Sequence, residues 1–207
     1  MPSFRPLHRL SASLGFCLAL ACASASAAPT DDARAELAVG IEEVADVLRA
    51  PSAEENIITR LGPLVGKHFA FATTTRLAVG PAWRDFTPAQ RDRAVELFGR
   101  LIIRTYADRY NGDTAPEVAY GTPVELRAGR IEIPTTLRTL GQSYSVTYRM
   151  ELDTATKPAR WRIYDIVAEG VSLISNYRSQ FDPILSQSGA EGLLKTIEAK
   201  LTDPAAR

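Results

Sequence analysis

Beyond residue 28 the 207-residue sequence has no cysteine and a single histidine, His68. Cys17, Cys22 and His8 all lie within the first 28 residues. Disulfides, thiol nucleophiles and Cys/His metal sites are thereby excluded from residues 29–207. A charge excess is also missing: 24 basic residues balance 24 acidic ones, which leaves no electrostatic footprint for nucleic acid. There is no Gly-rich phosphate loop, no Gly-x-Ser-x-Gly elbow and no HExxH pattern. Internal repeats and low-complexity linkers are absent as well.

The first 28 residues read as a targeting segment. Arg5, His8 and Arg9 make a basic start with no acidic residue. An apolar stretch over residues 10–23 follows, then a run of small residues to Ala28. That order is the signature of a secretory signal peptide. The apolar part is too short, and too rich in Ser and Ala, to span a membrane comfortably. A lipid anchor at Cys22 is disfavoured because Ala19 stands where a Leu is expected. Cleavage after Ala27 or Ala28 leaves residues 29–207, with a formal charge of −2. That length suits one domain with its own core.

Hydrophobic spacing divides the rest into a helical half, a strand-rich middle and a helical tail. Leu37, Ile41, Val44 and Leu48 recur at helical spacing over residues 30–50. Ser52 with Glu55 opens a second helix, which Leu61-Gly62-Pro63 is expected to end; a further helical stretch covers about 64–77. Thr87-Pro88-Ala89-Gln90 starts the longest helix, running to about Tyr110. The period then falls to two. Strands are expected within 117–126, around Ile131 to Leu137 with Pro134 marking an edge or bulge, over 144–152, and over 160–167. In the last, Trp161 and Ile163 are assigned to one face and Tyr164 and Ile166 to the other. Helical spacing returns at Leu173, stops at Gly189, and resumes through Leu201. Strands in sequence without intervening helices imply hairpins. The expected fold is therefore α+β: N-terminal helices on a curved, mainly antiparallel four-stranded sheet, with C-terminal helices.

Catalytic candidates are few. His68 lacks metal or nucleophile partners in its neighbourhood and reads as a surface or internally satisfied histidine. Glu42-Glu43 and Glu54-Glu55 read as solvated helix faces and caps. Asp165, next to Tyr164 on the most apolar strand, is the one acid available to an enzymatic pocket. The string Asn176-Tyr177-Arg178-Ser179-Gln180 is more polar and aromatic than a plain core helix needs.

The run WRIYDIVAEGVSLISNYRSQF at 161–181 resembles the signature of the MlaC (maintenance of lipid asymmetry) family, also called the toluene-tolerance family. FTPAQRDRAVELFGRLIIRTYADRYNG at 86–112 is similar to the family's long central helix, and GAEGLLKTIEAKL at 189–201 to its tail. Gly80 and Trp83 match the family's Gly-x-x-Trp segment, whereas Pro81 departs from it. The resemblance implies a non-enzymatic periplasmic carrier. It would move phospholipid between an inner-membrane ABC-transporter-associated lipid-binding complex and an outer-membrane lipoprotein complex, as a monomer with no cofactor beyond its cargo. On this reading an apolar cavity lies between Tyr144, Val146, Tyr148 and Met150 on the sheet and Phe98, Leu101, Ile102, Tyr106, Tyr177 and Phe181 on helices. Arg178 is assigned either to the headgroup or to a structural hydrogen bond. Alternative readings are a carrier of another apolar lipid such as a hopanoid, a small-molecule enzyme on a scaffold like that of nuclear transport factor 2, or a ligand-free adaptor.

N-terminal sequencing of the protein from the periplasmic fraction should begin at Ala28 or Pro29. An acylated Cys22, or a retained leader, would contradict a freely diffusing carrier.

Overall fold

The computed structural model describes residues 29–49, 54–107, 116–139 and 141–203. The cap expected at Ser52, the end of the long helix beyond residue 107 and the leader at 1–28 lie outside these residues. The order is α1 (Pro29–Arg49), α2 (Glu54–His68), α3 (Phe71–Val79), a 3-10 segment (Gly80–Asp85) and α4 (Pro88–Ala107). Then come β1 (Glu117–Tyr120), β2 (Val124–Arg127), β3 (Arg130–Thr139), β4 (Gln142–Asp153), β5 (Arg160–Ala168), β6 (Val171–Ser172) and α5 (Leu173–Thr202).

Local chemistry accounts for most of the boundaries. At the start of α4 the Thr87 N–H donates to Gln90 Oε1 at 2.9 Å, and the Gln90 N–H to Thr87 Oγ1 at 3.3 Å, a complete capping box. Helix α5 is broken at Gly189, whose backbone is non-helical with φ 59°. Pro63 does not end α2, which runs on to His68. The break falls instead at Phe69 and Ala70, because tertiary contacts claim that backbone. Phe69 bridges Ile163 in parallel, and the Ala70 N–H donates to the Ile163 carbonyl at 2.8 Å.

The sheet is antiparallel in all its strand pairings and has six strands where four were expected, in the order β1-β3-β4-β5-β6 with β2 also on β3. The extra count has two sources. The 117–126 stretch splits at Gly121–Pro123 into two short strands, and β6 returns along β5. Pro134 lies where the outer edge of β3 passes from β1 to β2, between the pairs Tyr120↔Thr135 and Val124↔Glu132. No full ladder is required there of a residue without an N–H.

β5 carries one residue more than β4 between the pairs Arg149↔Asp165 and Met150↔Ile163. Such a bulge re-aims the side chains that follow it. Ile166 consequently packs in the same cluster as Trp161 and Ile163, not on the opposite face, as strict alternation of the sequence had placed it. Tyr164 packs on the other side with Ala70 and Ile174.

Two main cores result. Helices α3, α4 and α5 enclose Phe98, Leu97, Leu101, Ile102, Tyr177, Phe181, Leu193 and Ile197. Ala33 and Leu37 of α1 and Phe69 pack on Ile131, Ile133, Met150, Trp161 and Ile163 of the sheet. Phe71 touches both clusters, stacks on Phe69 at 5.3 Å between centroids, and lies against Gly99 of α4.

The polar face of the sheet is an ionic ladder. Arg130 pairs with Glu151 at 2.5 Å, and its guanidinium lies 4.0 Å from the centroid of the Tyr164 ring. Thr73 of α3 donates to Glu151 at 2.6 Å. Arg149 reaches both Glu132 at 3.5 Å and Asp165 at 3.1 Å. Asp165 is 2% exposed and also accepts from the Ser172 hydroxyl at 2.8 Å and the Ile174 N–H at 3.1 Å. It therefore ties β5 to the first turn of α5. Asp165→Ala should destabilise the fold by about 3 kcal/mol, since it strands a guanidinium and a buried N–H. Asp165→Asn should cost less. Denaturant midpoints at unchanged slope measure both, and a loss below about 1 kcal/mol for the alanine variant would refute this role.

Candidate functional site

Antiparallel register stacks the apolar face of the sheet in cross-strand rows. Ile131, Met150 and Ile163 form one row, and Ile133, Tyr148 and Ile166 the next. Tyr120, Thr135, Val146 and Ala168 form the third, and Val118, Leu137 and Tyr144 the fourth. Beside Tyr120, the third row has small side chains at Thr135, Val146 and Ala168, between two rows of larger ones. Val146 and Thr135 are buried there, and the Thr135 hydroxyl donates to the Val146 carbonyl at 2.7 Å. Among the described residues Val146 belongs to none of the packed clusters. At the far end Tyr144 is 39% exposed.

Helix α1 flanks this face. Ala33 and Leu37 close its lower end, while Ile41 and Val65 of α2 pack more loosely against it. The Arg34 guanidinium lies 5.5 Å from the centroid of the Tyr120 ring. Tyr148 is partly buried as a residue, but burial of its phenol, assisted by the nearby Tyr120, pushes its pKa up to about 12. Burial also raises that of Tyr120.

The residues expected from the sequence to share a cavity fall into two places. Phe98, Tyr177 and Phe181 form an aromatic trio with centroids 4.7, 5.2 and 5.6 Å apart, Phe98 edge-to-face on the other two, and Leu101 and Ile102 join them in the helical core. Met150 and Tyr148 lie in the sheet-side core. Tyr144 and Val146 lie further along the same sheet face. The side chain of Tyr106 lies outside the described residues. Sheet and α4–α5 residues thus do not face one another directly: α1 and α2 take the place facing the sheet. Tyr120, Thr135, Ile166 and Ala168 complete the face and were missed by the sequence reading. The period-two pattern of β3 contained Thr135, but Ile166 required knowledge of the bulge.

The polar candidates make hydrogen bonds within the fold. Arg178 donates from both Nε, at 3.0 Å, and a terminal nitrogen to the Leu77 carbonyl. It lies beside Gly80, whose φ of 69° favours glycine. This bond fixes the 3-10 segment that accommodates Pro81 within the Gly80–Trp83 stretch. Two open clefts lie elsewhere. One, of about 460 Å³, is lined by Arg76, Arg84, Arg178 and Trp83, and the other, of about 540 Å³, by Thr73, Glu151, Asp153 and Arg162. Among the described residues no His/Cys/Asp/Glu group is arranged to hold a metal, and no helix is long and apolar enough to cross a membrane.

An antiparallel sheet with one face carrying ion pairs and one apolar face, the latter flanked by helices, defines an α+β protein. The chain belongs to the MlaC family, whose model, described as MlaC protein, matches residues 40–199. The fold is similar to that of a phospholipid-binding protein from Ralstonia solanacearum, solved in complex with a phospholipid. The TM-score is 0.74 at 24% identity, covering 83% of this chain and 99% of that one.

His68 is buried and satisfied. Its Nε2 lies 2.7 Å from Glu43 Oε2, and its ring sits where a Cβ on Gly40 would come within 3.0 Å. Lys67 donates to the other Glu43 oxygen at 2.6 Å. These bonds, that from His68 foremost, hold the Glu43 carboxyl down to about 2 from 4.5. A depressed carboxylate stabilises the fold fully above its unfolded pKa and loses that contribution as pH falls through the folded one. Glu43→Gln should therefore narrow its stability gap to the parent progressively as pH falls from about 4.5 toward 2. A gap that stays constant over that window, followed by urea titration, would contradict the clamp.

Proposed function

We propose that the protein is a periplasmic phospholipid carrier, with residues 1–28 removed on export and residues 29–207 forming one lipid-binding domain. The observation that carries this reading is the row of small side chains Thr135, Val146 and Ala168 beside Tyr120 on the apolar face of a sheet whose opposite face carries the ion pairs. Family membership and the phospholipid held by the Ralstonia protein support it.

The energetics define what such a carrier must do. Two acyl tails of about fifteen methylenes each, at about 0.8 kcal/mol per methylene, put roughly 24 kcal/mol against transit through water. An apolar sheet face under helices replaces the bilayer for the tails and leaves the headgroup to water. No bond is made or broken, so the protein exchanges lipid between an inner-membrane ABC-transporter-associated complex and an outer-membrane lipoprotein complex. The helical-core residues Phe98, Leu101, Ile102, Tyr177 and Phe181 support this face from behind Phe71 rather than lining it.

Protein purified without detergent should carry about one glycerophospholipid per chain by native mass spectrometry. Val146→Trp fills the row of small side chains and should abolish that adduct. Compared delipidated, since bound lipid itself stabilises the fold, the variant should stay within about 1 kcal/mol of the parent. A bare chain mass for the gently purified parent would remove the main support for the carrier reading. A delipidated variant that unfolds far below the parent would place Val146 in ordinary core.

A further inference from the structure

Positive charge is left uncompensated at the C-terminal end of α3. Arg76, Arg84 and Arg178 line one cleft of about 460 Å³ together with Trp83, and the Arg91 guanidinium lies 5.7 Å from the centroid of the Trp83 ring. None of these four arginines has an ion pair among the described residues, whereas Arg93, Arg130 and Arg149 elsewhere are each paired. The cleft has no carboxylate in its lining. Asp85, Asp92 and Asp182, close by in sequence, are exposed and form no part of it.

The donors of these arginines are only partly used. Arg76 makes no side-chain hydrogen bond among the described residues, and Arg84 makes one of 3.5 Å, from Nε to the Pro81 carbonyl. Arg178 uses Nε and one terminal nitrogen on the Leu77 carbonyl. Behind the wall, Arg91 donates to the Trp83 and Arg84 carbonyls at 3.2 Å each, while its buried Nε has no partner. A Cβ on Gly80 would come 3.4 Å from Nε of Arg178 and 3.7 Å from its guanidinium carbon, so the bare glycine leaves that face of the cation to the cleft. No residue of the lining belongs to a strand, and Leu77 packs with Tyr164, on the side of the sheet away from the apolar rows.

We propose that this cleft is a phosphate-binding site separate from the cargo face, taking either the headgroup phosphate of a bilayer lipid or a soluble phosphate between Arg76, Arg84 and Arg178. Guanidinium forks match the oxygens of carboxylates and phosphates bidentately. A carboxylate has two oxygens and fills one fork, whereas a phosphate group presents more and engages two guanidiniums at once. Its charge relieves the mutual repulsion of the arginines. Trp83 supplies an apolar wall for the atoms that carry the phosphate. The site goes beyond the carrier reading and does not depend on it.

The test uses the mature protein as purified. Inorganic phosphate is titrated by calorimetry against chloride of equal ionic strength, and phosphatidylglycerol vesicles are used in a sedimentation assay. Arg76 and Arg84 are exposed, so the double variant Arg76→Gln/Arg84→Gln should melt as the parent does and bind about ten-fold more weakly or worse. Arg76→Lys/Arg84→Lys keeps the charge but not the forks, and should weaken binding too. Phosphate binding alone supports the site with a soluble ligand; vesicle binding that the glutamine variant loses supports it with a headgroup. The proposal is overturned if the parent binds neither, or if the glutamine variant binds as well as the parent. A lysine variant equal to the parent also overturns it, by reducing the effect to diffuse charge. A polyglutamate peptide held more tightly than either phosphate form overturns it in favour of an acidic protein partner. The lipid adduct seen by native mass spectrometry should be equal in parent and variants. Its loss in the glutamine variant would overturn the separation of the two sites, whereas a parent without an adduct overturns the carrier reading alone.

Discussion

Between Arg149↔Asp165 and Met150↔Ile163, β5 advances two residues while β4 advances one, and the disposition of the whole sheet depends on that surplus. Without it Asp165 would share a face with Ile163 and Trp161, a carboxylate in the middle of an apolar core. An unpaired charge there would be severely destabilising. With it, Tyr164 and Asp165 both serve the polar face. Tyr164 lies under the Arg130 guanidinium, and Asp165 gathers Arg149, Ser172 and the first turn of α5. Ile166 then returns to the apolar face beside Tyr148. One backbone irregularity thus keeps that face free of charge over all its rows while anchoring the C-terminal helix on the other side.

The two faces are consequently held by different physics. On the ionic face, carboxylates and guanidiniums alternate across strands, and the α3 helix adds Thr73 to Glu151. Apart from the buried Asp165, these groups are partly exposed and each pair contributes modestly. On the apolar face, among the described residues, directional side-chain contacts are few: the Thr135 bond, that of Tyr144 to Gln142 and Arg34 over Tyr120. Packing is tight at the Met150 and Ile163 row, where α1 descends, and loosens toward Tyr144. A gradient from closed core to half-open surface along a single face is what a removable apolar ligand requires, because a uniformly packed core offers no space without strain.

Most of the fold was legible in the sequence because its signals are local. The capping box at Thr87, the stop at Gly189 and the alternation of residues 144–152 each report short-range chemistry, and each appears where expected. The departures are all non-local. Pro63 is an apparent stop, yet α2 continues because Leu61 is buried and Val65 packs on the sheet-side core beyond the proline. The true end at Phe69 depends on Ile163, nearly a hundred residues later. The bulge in β5 leaves no mark in the pattern of WRIYDIV, since either assignment of Ile166 is apolar. The site was legible only in part for the same reason. Periodicity names the apolar residues of a strand or helix, but not which apolar sets face each other, and here α1 and α2 occupy the position that α4 and α5 were expected to take.

That substitution of helices bears on how firmly each part of the fold is held. The α4–α5 core is closed by the aromatic trio of Phe98, Tyr177 and Phe181 and by Leu193 and Ile197, all nearly or fully buried, and is edged by the Arg93–Glu198 pair and the Gln90–Glu191 bond. Helix α1 meets the sheet through smaller contacts: Ala33, Leu37, the Glu36–Arg160 pair at 3.5 Å and Arg34 on Tyr120. Its firmest link is to α2, through Glu43, Lys67 and His68 and the close approach of His68 to Gly40. Helices α1 and α2 are therefore clamped to each other, while the backbone link at Phe69–Ala70, where α2 gives way to α3, ties them to β5. Phe71, which contacts both cores immediately after it, keeps the two sides in register.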